Sequence, residues 1–185
     1  MLFNAPLGYK ANPGLSPNPT KAPWYFMGIQ EMLLHFHPVV ALFVIPILLL
    51  VALLTLPYFS DQVHTSGVWF ASAKGRGMAL VAALTAAIGT PLGILADEYL
   101  IEVAGHLPAV PTWITNGLAP FALLLAVIAG FYVFMKRKYA ASNTEAVQMM
   151  FVLLLVAFIV LTITGIEMRG TGMKLVWPWG TGTPG

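Results

Sequence analysis

The 185-residue sequence contains no cysteine, and only 9% of its residues are charged. The absence of cysteine excludes disulfides, thiolate metal sites and iron–sulfur ligation within this chain. Soluble domains carry roughly 25% charged residues, so the low charge argues against a soluble protein. The nine Lys and Arg residues are scattered along the sequence and do not cluster on one face, so we expect no nucleic-acid partner.

Long apolar runs dominate what remains, with 58% hydrophobic residues and a mean hydropathy of +0.82. Several runs reach the ~20 residues that a helix needs to cross a bilayer. They are continuous and not alternating, which favours α-helices over a β-barrel. The sequence therefore predicts an all-α membrane protein with four transmembrane helices, near residues 30–59, 78–96, 113–135 and 144–168. Residues 1–29 are predicted as an outer-side loop, 30–168 as the transmembrane domain and 169–185 as an outer-side tail.

Basic residues predict the orientation of these helices, because Lys and Arg near span ends favour the cytoplasmic side. The loops after the first and third predicted helices carry Lys74, Arg76, Lys136, Arg137 and Lys138. The other side carries Lys10, Lys21, Arg169 and Lys174, together with the acidic Asp97, Glu98 and Glu102. We therefore expect both termini on the outer, electrically positive side of the membrane.

A short proline-flanked aromatic segment precedes the first apolar run. Pro19 and Pro23 predict an extended loop, because proline fixes φ and lacks a backbone donor. Trp24, Tyr25 and Phe26 follow, and such rings are typical of the membrane–water interface. On composition alone, this segment is an interfacial anchor more often than a binding site.

The segment Ala22-Pro23-Trp24-Tyr25-Phe26 resembles the Pro-Glu-Trp-Tyr-Phe box of the C-terminal domain of cytochrome b. The resemblance covers roughly residues 12–135 and includes the order of the first three helices and the predicted outer position of the box. The helix that precedes the box in that family is missing here, and the fourth helix and its tail are additional. This arrangement is similar to bacterial cytochrome bc-type complexes in which that domain is a separate, subunit IV-like chain.

The resemblance implies a subunit of a quinol:cytochrome c oxidoreductase in the bacterial inner membrane. This subunit would form part of the quinol-oxidation site and of a proton exit on the outer side. It would carry no redox centre of its own, and the partner subunit would carry the haems b. The implied partners are a dihaem cytochrome b N-terminal subunit, a Rieske-type iron–sulfur protein, a c-type cytochrome and membrane lipid.

The resemblance also implies that Pro23, Trp24, Tyr25 and Phe26 line the quinol pocket. Pro23 stands where the family box has an acid that is thought to accept the quinol proton. A quinol site still needs a base within reach, and Glu31 is the nearest carboxylate in sequence. If a helix begins near Trp24, Glu31 lies two turns later on the same face. We expect burial to raise the pKa of Glu31 towards the working pH.

The remaining ionisable residues have simpler interpretations. His35 and His37 lie about 200° apart around a helix and cannot face one metal, so no metal site is predicted. They are interpreted as interfacial or partner-contacting residues, with proton transfer as the less favoured role. Asp97, Glu98 and Glu102 are interpreted as solvated loop carboxylates. Glu167, at a helix end beside an apolar run, is a second candidate for function.

Two other functions stay open from the sequence. The chain could be a structural membrane anchor for an electron-transfer subunit, without a quinol site. A small transporter is less favoured, because the apolar runs contain almost no charged residues and no internal repeat. Bound quinone or inhibitor protection at residues 24–31 would separate the quinol-site interpretation from the anchor.

Overall fold

The computed structural model describes residues 20–55, 58, 69–70, 72–99 and 110–177. These residues form helices α1 Met27–His35, α2 Val40–Thr55, α3 Ala73–Tyr99, α4 Ile114–Tyr139 and α5 Asn143–Glu167. Among these described residues, the only β-type pairing is one isolated antiparallel bridge between Arg169 and Leu175. The predictions for residues 1–19, Glu102 and residues 178–185 lie outside the described residues. The all-α class is confirmed for the part of the chain that the structure covers.

Three helices, α3, α4 and α5, are long and apolar enough to cross a membrane. They have 27, 26 and 25 residues. At about 1.5 Å per residue each exceeds the ~30 Å hydrocarbon core. This agrees with a multi-pass membrane protein. Helix α2 is shorter, and α1 has only nine residues. The fourth span and the positions of the termini stay predictions.

The prediction of a single helix near residues 30–59 is wrong at residues 36–37, where the chain breaks between α1 and α2. Phe36 is extended, with φ −129° and ψ 148°. Pro38 explains the break, since proline disfavours helical backbone in the residue before it and lacks an N–H. The freed N–H of His37 donates instead to the carbonyl of Asn116, at 2.8 Å.

The beginnings of α2 and α4 meet at this break, and each contains a π-helical turn, Val40–Val44 and Ile114–Leu118. Gly117 permits the contact. A Cβ at this position would lie 2.9 Å from Cβ of His37 and 3.0 Å from Cγ2 of Val40. Phe36 and Phe121 stack edge to face across the same junction, with ring centroids 6.3 Å apart.

The principal core lies between α3 and α5, near the end of α4. Its buried residues are small or flexible apolar side chains, which are Met78, Ala82, Ala86, Met135, Met149 and Leu153. Alanine lets the helix axes approach closely, and unbranched methionine fills the irregular space that remains. Helix α5 begins with a capping box, in which Ser142 accepts from the Glu145 amide and Glu145 accepts from the Ser142 amide.

Helix α1 packs against the second half of α5 through two glycines. A Cβ at Gly28 would lie 2.5 Å from Oγ1 of Thr162, and one at Gly165 would lie 2.4 Å from Cγ of Met27. Real Cβ atoms do not approach other atoms so closely, so the close contact between α1 and α5 requires glycine at both positions. This contact fixes α1 at the C-terminal end of α5.

Helix α4 continues through its basic residues to Tyr139, so the predicted end near residue 135 is too early. The helix ends at Ala140, whose φ is 47°. The amides of Ala140 and Ala141 then donate to the carbonyls of Arg137 and Lys136. Basic side chains in a last turn interact favourably with the helix dipole and therefore do not end a helix.

Candidate functional site

The aromatic segment forms a short 3-10 turn, Trp24–Phe26, directly before α1. Pro23 is extended, with φ −54° and ψ 150°, and its carbonyl accepts from the Phe26 amide at 2.9 Å. The three rings contact one another in sequence, with centroids 5.7 Å and 5.1 Å apart. At least half of each ring is exposed, so this chain alone could supply at most one wall of a binding pocket.

Hydrogen bonds attach this segment to the end of α5 and to α1. Nζ of Lys21 donates to the carbonyl of Ile166 at 2.9 Å. The side chain of Gln30 accepts from the Ala22 amide at 2.6 Å and donates to the Thr20 carbonyl at 2.7 Å. The rings are thereby held at the same end of the molecule as residues 166–176.

Glu31 forms a buried ion pair with Arg169, which follows α5. Nε of Arg169 lies 3.0 Å from each carboxylate oxygen, and Nη2 lies 2.7 Å from Oε1. The side chain of Glu31 is 0% exposed and that of Arg169 is 1% exposed. A planar guanidinium meeting a carboxylate through several bonds gives both charge compensation and a fixed orientation.

His35 extends the ion pair towards the end of α3. Its Nδ1 lies 2.7 Å from Oδ2 of Asp97, and its Nε2 lies 3.3 Å from Oε1 of Glu31. Glu31 and His35 are four residues apart, so α1 presents both side chains on one face. The imidazole ring therefore bridges a buried carboxylate and a half-exposed one.

Glu98 and a C-terminal hairpin complete the surroundings of Arg169. Nη1 of Arg169 donates to Oε2 of Glu98 and to the carbonyl of Met173, at 3.0 Å each. The hairpin, residues 168–176, is closed by bonds from the Gly170 amide to the Lys174 carbonyl and from the Val176 amide to the Met168 carbonyl. Its turn needs Gly172, whose φ is 68°. Three carboxylates, one guanidinium and one imidazole thus form one network, which we call the outer-end network because the sequence predicts this end on the outer side of the membrane.

The network changes the proton affinity of its two α1 members, which lie outside the membrane-spanning helices. Burial alone would raise the pKa of Glu31, but hydrogen bonds from His35 and Arg169 outweigh it and hold that pKa below 4.5. Burial alone would lower the pKa of His35, but Asp97 and Glu31 raise it from 6.5 to about 9. Near neutral pH, Glu31 is therefore an anion and His35 a cation.

These observations correct two expectations about Glu31. The expected rise in its pKa is wrong, because His35 and Arg169 of the same chain compensate the buried charge. The expected shared face with Trp24 is also wrong, since Trp24 is 71% exposed and Glu31 is 0% exposed. The 3-10 turn before Met27 breaks the helical register on which that expectation depended.

The sequence interpretation missed the other members of the network. Asp97 and Glu98 are not merely solvated, because each contacts a cation, and His35 is not simply interfacial. The four-residue spacing of Glu31 and His35 could have indicated their contact. Nothing in the sequence indicated that Arg169, in the C-terminal tail, would contact them. Glu167 is exposed at the end of α5 and is not part of the network.

The contacts of the network compensate charge within the chain. Among the described residues, no group of three or more His, Asp or Glu side chains is arranged to hold a metal ion. Within the same part of the chain, every buried side-chain nitrogen and oxygen has a hydrogen-bond partner. Chemically, the arrangement can hold charges in place and can relay a proton only if one of its bonds opens.

No protein-family model, curated protein or solved structure matches this chain.

Proposed function

We propose that the chain is the C-terminal cytochrome b-like subunit of a quinol:cytochrome c oxidoreductase and forms part of its quinol-oxidation site. The observation that carries the proposal is the joint position of two features. The exposed rings of Trp24 to Phe26 resemble the family box, and they are tied to the end of the molecule that holds the outer-end network. An apolar wall beside a chain of ionisable groups is what quinol binding and proton exit require.

In this proposal the chain supplies pocket shape and proton contacts, and other subunits supply the redox centres. The subunit lies in the bacterial inner membrane, crosses it four times and has both termini outside. The four spans are α2, α3, α4 and α5. A dihaem cytochrome b N-terminal subunit, a Rieske-type iron–sulfur protein and a c-type cytochrome complete the complex. Tyr25 contributes its phenol to the quinol pocket, which Pro23, Trp24 and Phe26 also line.

Glu31 keeps its place in this proposal as the candidate proton acceptor, with a condition. Because its pKa is lowered and its oxygens are engaged by Arg169, it accepts a proton only when that pair opens. Quinol binding beside α1 is the event that would open it, and Asp97, with 37% of its side chain exposed, lies towards the outside.

The alternative function is a structural membrane anchor for an electron-transfer complex, without a quinol site. The complete pairing of Glu31 favours it, because a closed ion pair can serve stability alone. The two functions differ in whether quinone binds beside residues 24–31.

Turnover of the intact complex tests the proposal. The complex would be purified through a tag on this chain and assayed for haem content, bound quinone and quinol:cytochrome c turnover. Removing a positioned base typically lowers the rate ~10²–10⁴-fold, so Glu31→Gln should lower turnover at least tenfold with the haems retained. Tyr25→Phe should lower turnover while assembly stays normal, because it removes only the phenolic hydroxyl.

Glu98→Gln is the matched control, since it removes a different carboxylate from the same Arg169. If Glu31→Gln and Glu98→Gln have equal small effects, Glu31 is not the acceptor. If the purified complex lacks haem and quinone altogether, the quinol-site function is wrong. A haem-containing complex with no quinone contact at residues 24–31 would support the anchor.

A further inference from the structure

The last turns of α4 form an open groove of about 500 Å³ at the end opposite the outer-end network. It is lined by Tyr132, Val133, Lys136, Arg137 and Ala141. The four α4 residues lie at positions i, i+1, i+4 and i+5 and so share one face of the helix. Ala141 belongs to the turn that joins α4 to α5. The groove therefore has an apolar wall, formed by Tyr132, Val133 and Ala141, and a basic rim, formed by Lys136 and Arg137.

The basic rim has charge available for an anion. Arg137 is exposed, and no carboxylate in the described ranges forms an ion pair with it. Lys136 donates to the side chain of Asn143 and lies 5.8 Å from the ring centroid of Tyr132. Both partners are neutral, so they hold the ammonium group in place without neutralising it.

The surrounding charge reinforces this rim. Lys74, Arg76 and Lys138 belong to the same end, because α3 begins there and α4 ends there. Glu145 is also at this end, where it accepts hydrogen bonds from Ser72 and Ser142. The described residues of this end thus carry five basic side chains against one acidic one.

The apolar wall continues along the membrane-spanning part of α4. Only 11% of the most apolar stretch of this helix is buried within the chain. Val133 is 42% exposed where the wall meets the basic rim. A ligand that fits both parts has an anionic head and a long apolar body, and an inorganic ion or an acidic peptide has no such body.

We propose that this groove binds an anionic phospholipid. The phosphodiester lies between Lys136 and Arg137, and an acyl chain lies along Val133 and the exposed side of α4. Arginine suits the phosphate because its planar N–H groups can donate to two oxygens at once. Basic pockets between membrane helices on the cytoplasmic side, where the basic residues are predicted to lie, bind such head groups. This site is independent of the proposed quinol function.

Native mass spectrometry of the purified chain, with whatever subunits accompany it, tests the proposal. Phosphatidylglycerol and phosphatidylcholine would be titrated against the parent, Lys136→Gln/Arg137→Gln and the control Lys74→Gln/Arg76→Gln. Each basic residue near a membrane surface contributes about 1 kcal/mol to anionic-lipid binding, so the first double variant should bind phosphatidylglycerol roughly 30-fold more weakly. The control removes the same charge from the same end without touching the groove, and it should weaken phosphatidylglycerol binding clearly less than the first double variant.

Several results would overturn the site. Equal losses in both double variants would show general attraction to the basic end and no defined groove. Equal affinity for phosphatidylcholine would remove the role of the anionic head, and displacement by millimolar inorganic phosphate would identify a simple phosphate site. Arg137→Gln alone should weaken binding about fivefold, and it keeps the Lys136–Asn143 bond. It therefore tests the site even if the double variant fails to fold.

Discussion

Arg169 is the residue on which the outer-end network depends. It contacts Glu31 and Glu98, which come from α1 and α3, and it also holds its own hairpin through Met173. A buried charge that loses its partner is costly, whereas replacing the whole pair is often tolerated. The network should therefore show strong coupling between its members, which single substitutions alone would not reveal.

We predict that Arg169→Met lowers the unfolding free energy by about 3–5 kcal/mol, because it leaves Glu31 buried beside only His35. The double variant Glu31→Gln/Arg169→Met should lose clearly less than the sum of the two single variants. Denaturant titration of the detergent-solubilised chain, followed by circular dichroism, measures each value. Lys174→Met, an exposed cation of the same hairpin, is the control and should be near neutral. Additive losses would contradict the coupling.

The raised pKa of His35 predicts a defined pH dependence of stability. The folded-state pKa of about 9 lies above the ordinary 6.5, so the stabilisation is complete below pH 6.5. It is lost as the pH rises through 9, and a shift of this size corresponds to roughly 3 kcal/mol. Thermal unfolding midpoints between pH 6 and 10 should fall for the parent and fall less for His35→Gln. His37→Gln, outside the network, should follow the parent. Parallel curves for parent and His35→Gln would refute the assignment.

At the scale of the helices, glycine decides which surfaces meet. Gly28 and Gly165 allow α1 to lie against α5, whereas a Cβ at Gly89 or Gly93 would meet no atom of the described chain within 4 Å. Gly89 and Gly93 are both exposed on α3. The first pair thus serves the fold of this chain, and the second pair leaves a smooth strip that a partner helix could use.

Alanine substitutions should separate these two uses. Gly165→Ala should destabilise the isolated chain by about 1–3 kcal/mol, because the added methyl group overpacks the contact with Met27. Gly89→Ala should leave the isolated chain unchanged or slightly more stable, since alanine favours helices. If α3 packs on a partner, Gly89→Ala should instead reduce recovery of the intact complex in a pull-down. Equal stability of Gly165→Ala and the parent would contradict the close contact of α1 and α5.

The predictability of these elements follows their physical origin. Helices long enough to span a membrane are a local property of composition. Helix α5 was predicted almost at its observed bounds, whereas α3 and α4 are longer than predicted. The predicted helix near residues 30–59 did not include the break before Pro38, because the backbone partner of His37 is Asn116, almost 80 residues away. The predicted end of α4 near residue 135 left out its basic residues, although such residues stabilise a last turn.

The candidate site was less predictable than the helices. Glu31 was singled out by its position after the aromatic box, but its partner was not, since Arg169 is 138 residues away in sequence. The sign of the Glu31 pKa shift depends on His35 and Arg169 together, because burial acts in the opposite direction. Sequence spacing could connect Glu31 with His35, whereas only the packing of α1 on α5 could connect either with Arg169.

Over the whole molecule, the described helices expose more contiguous apolar surface than a protein surrounded by water normally does. No residue of Ile45–Thr55 is buried. In α3 and in α5, only 22% of the most apolar stretch of the helix is buried. Large contiguous apolar surfaces belong against lipid or against other chains. Residues 45–55 of α2 belong to this exposed apolar surface.

The proposed topology places the two ends of the molecule on opposite sides of this membrane. The sequence has no cysteine, so single introduced cysteines give labelling without background. We expect Lys174→Cys, in the exposed C-terminal hairpin, to react with a membrane-impermeant maleimide in spheroplasts. Lys138→Cys, at the end of α4, should react only after permeabilisation, since four basic residues remain to hold that end in the cytoplasm. Labelling of Lys138→Cys in sealed spheroplasts would reverse the orientation, and labelling of both would reject alternating spans.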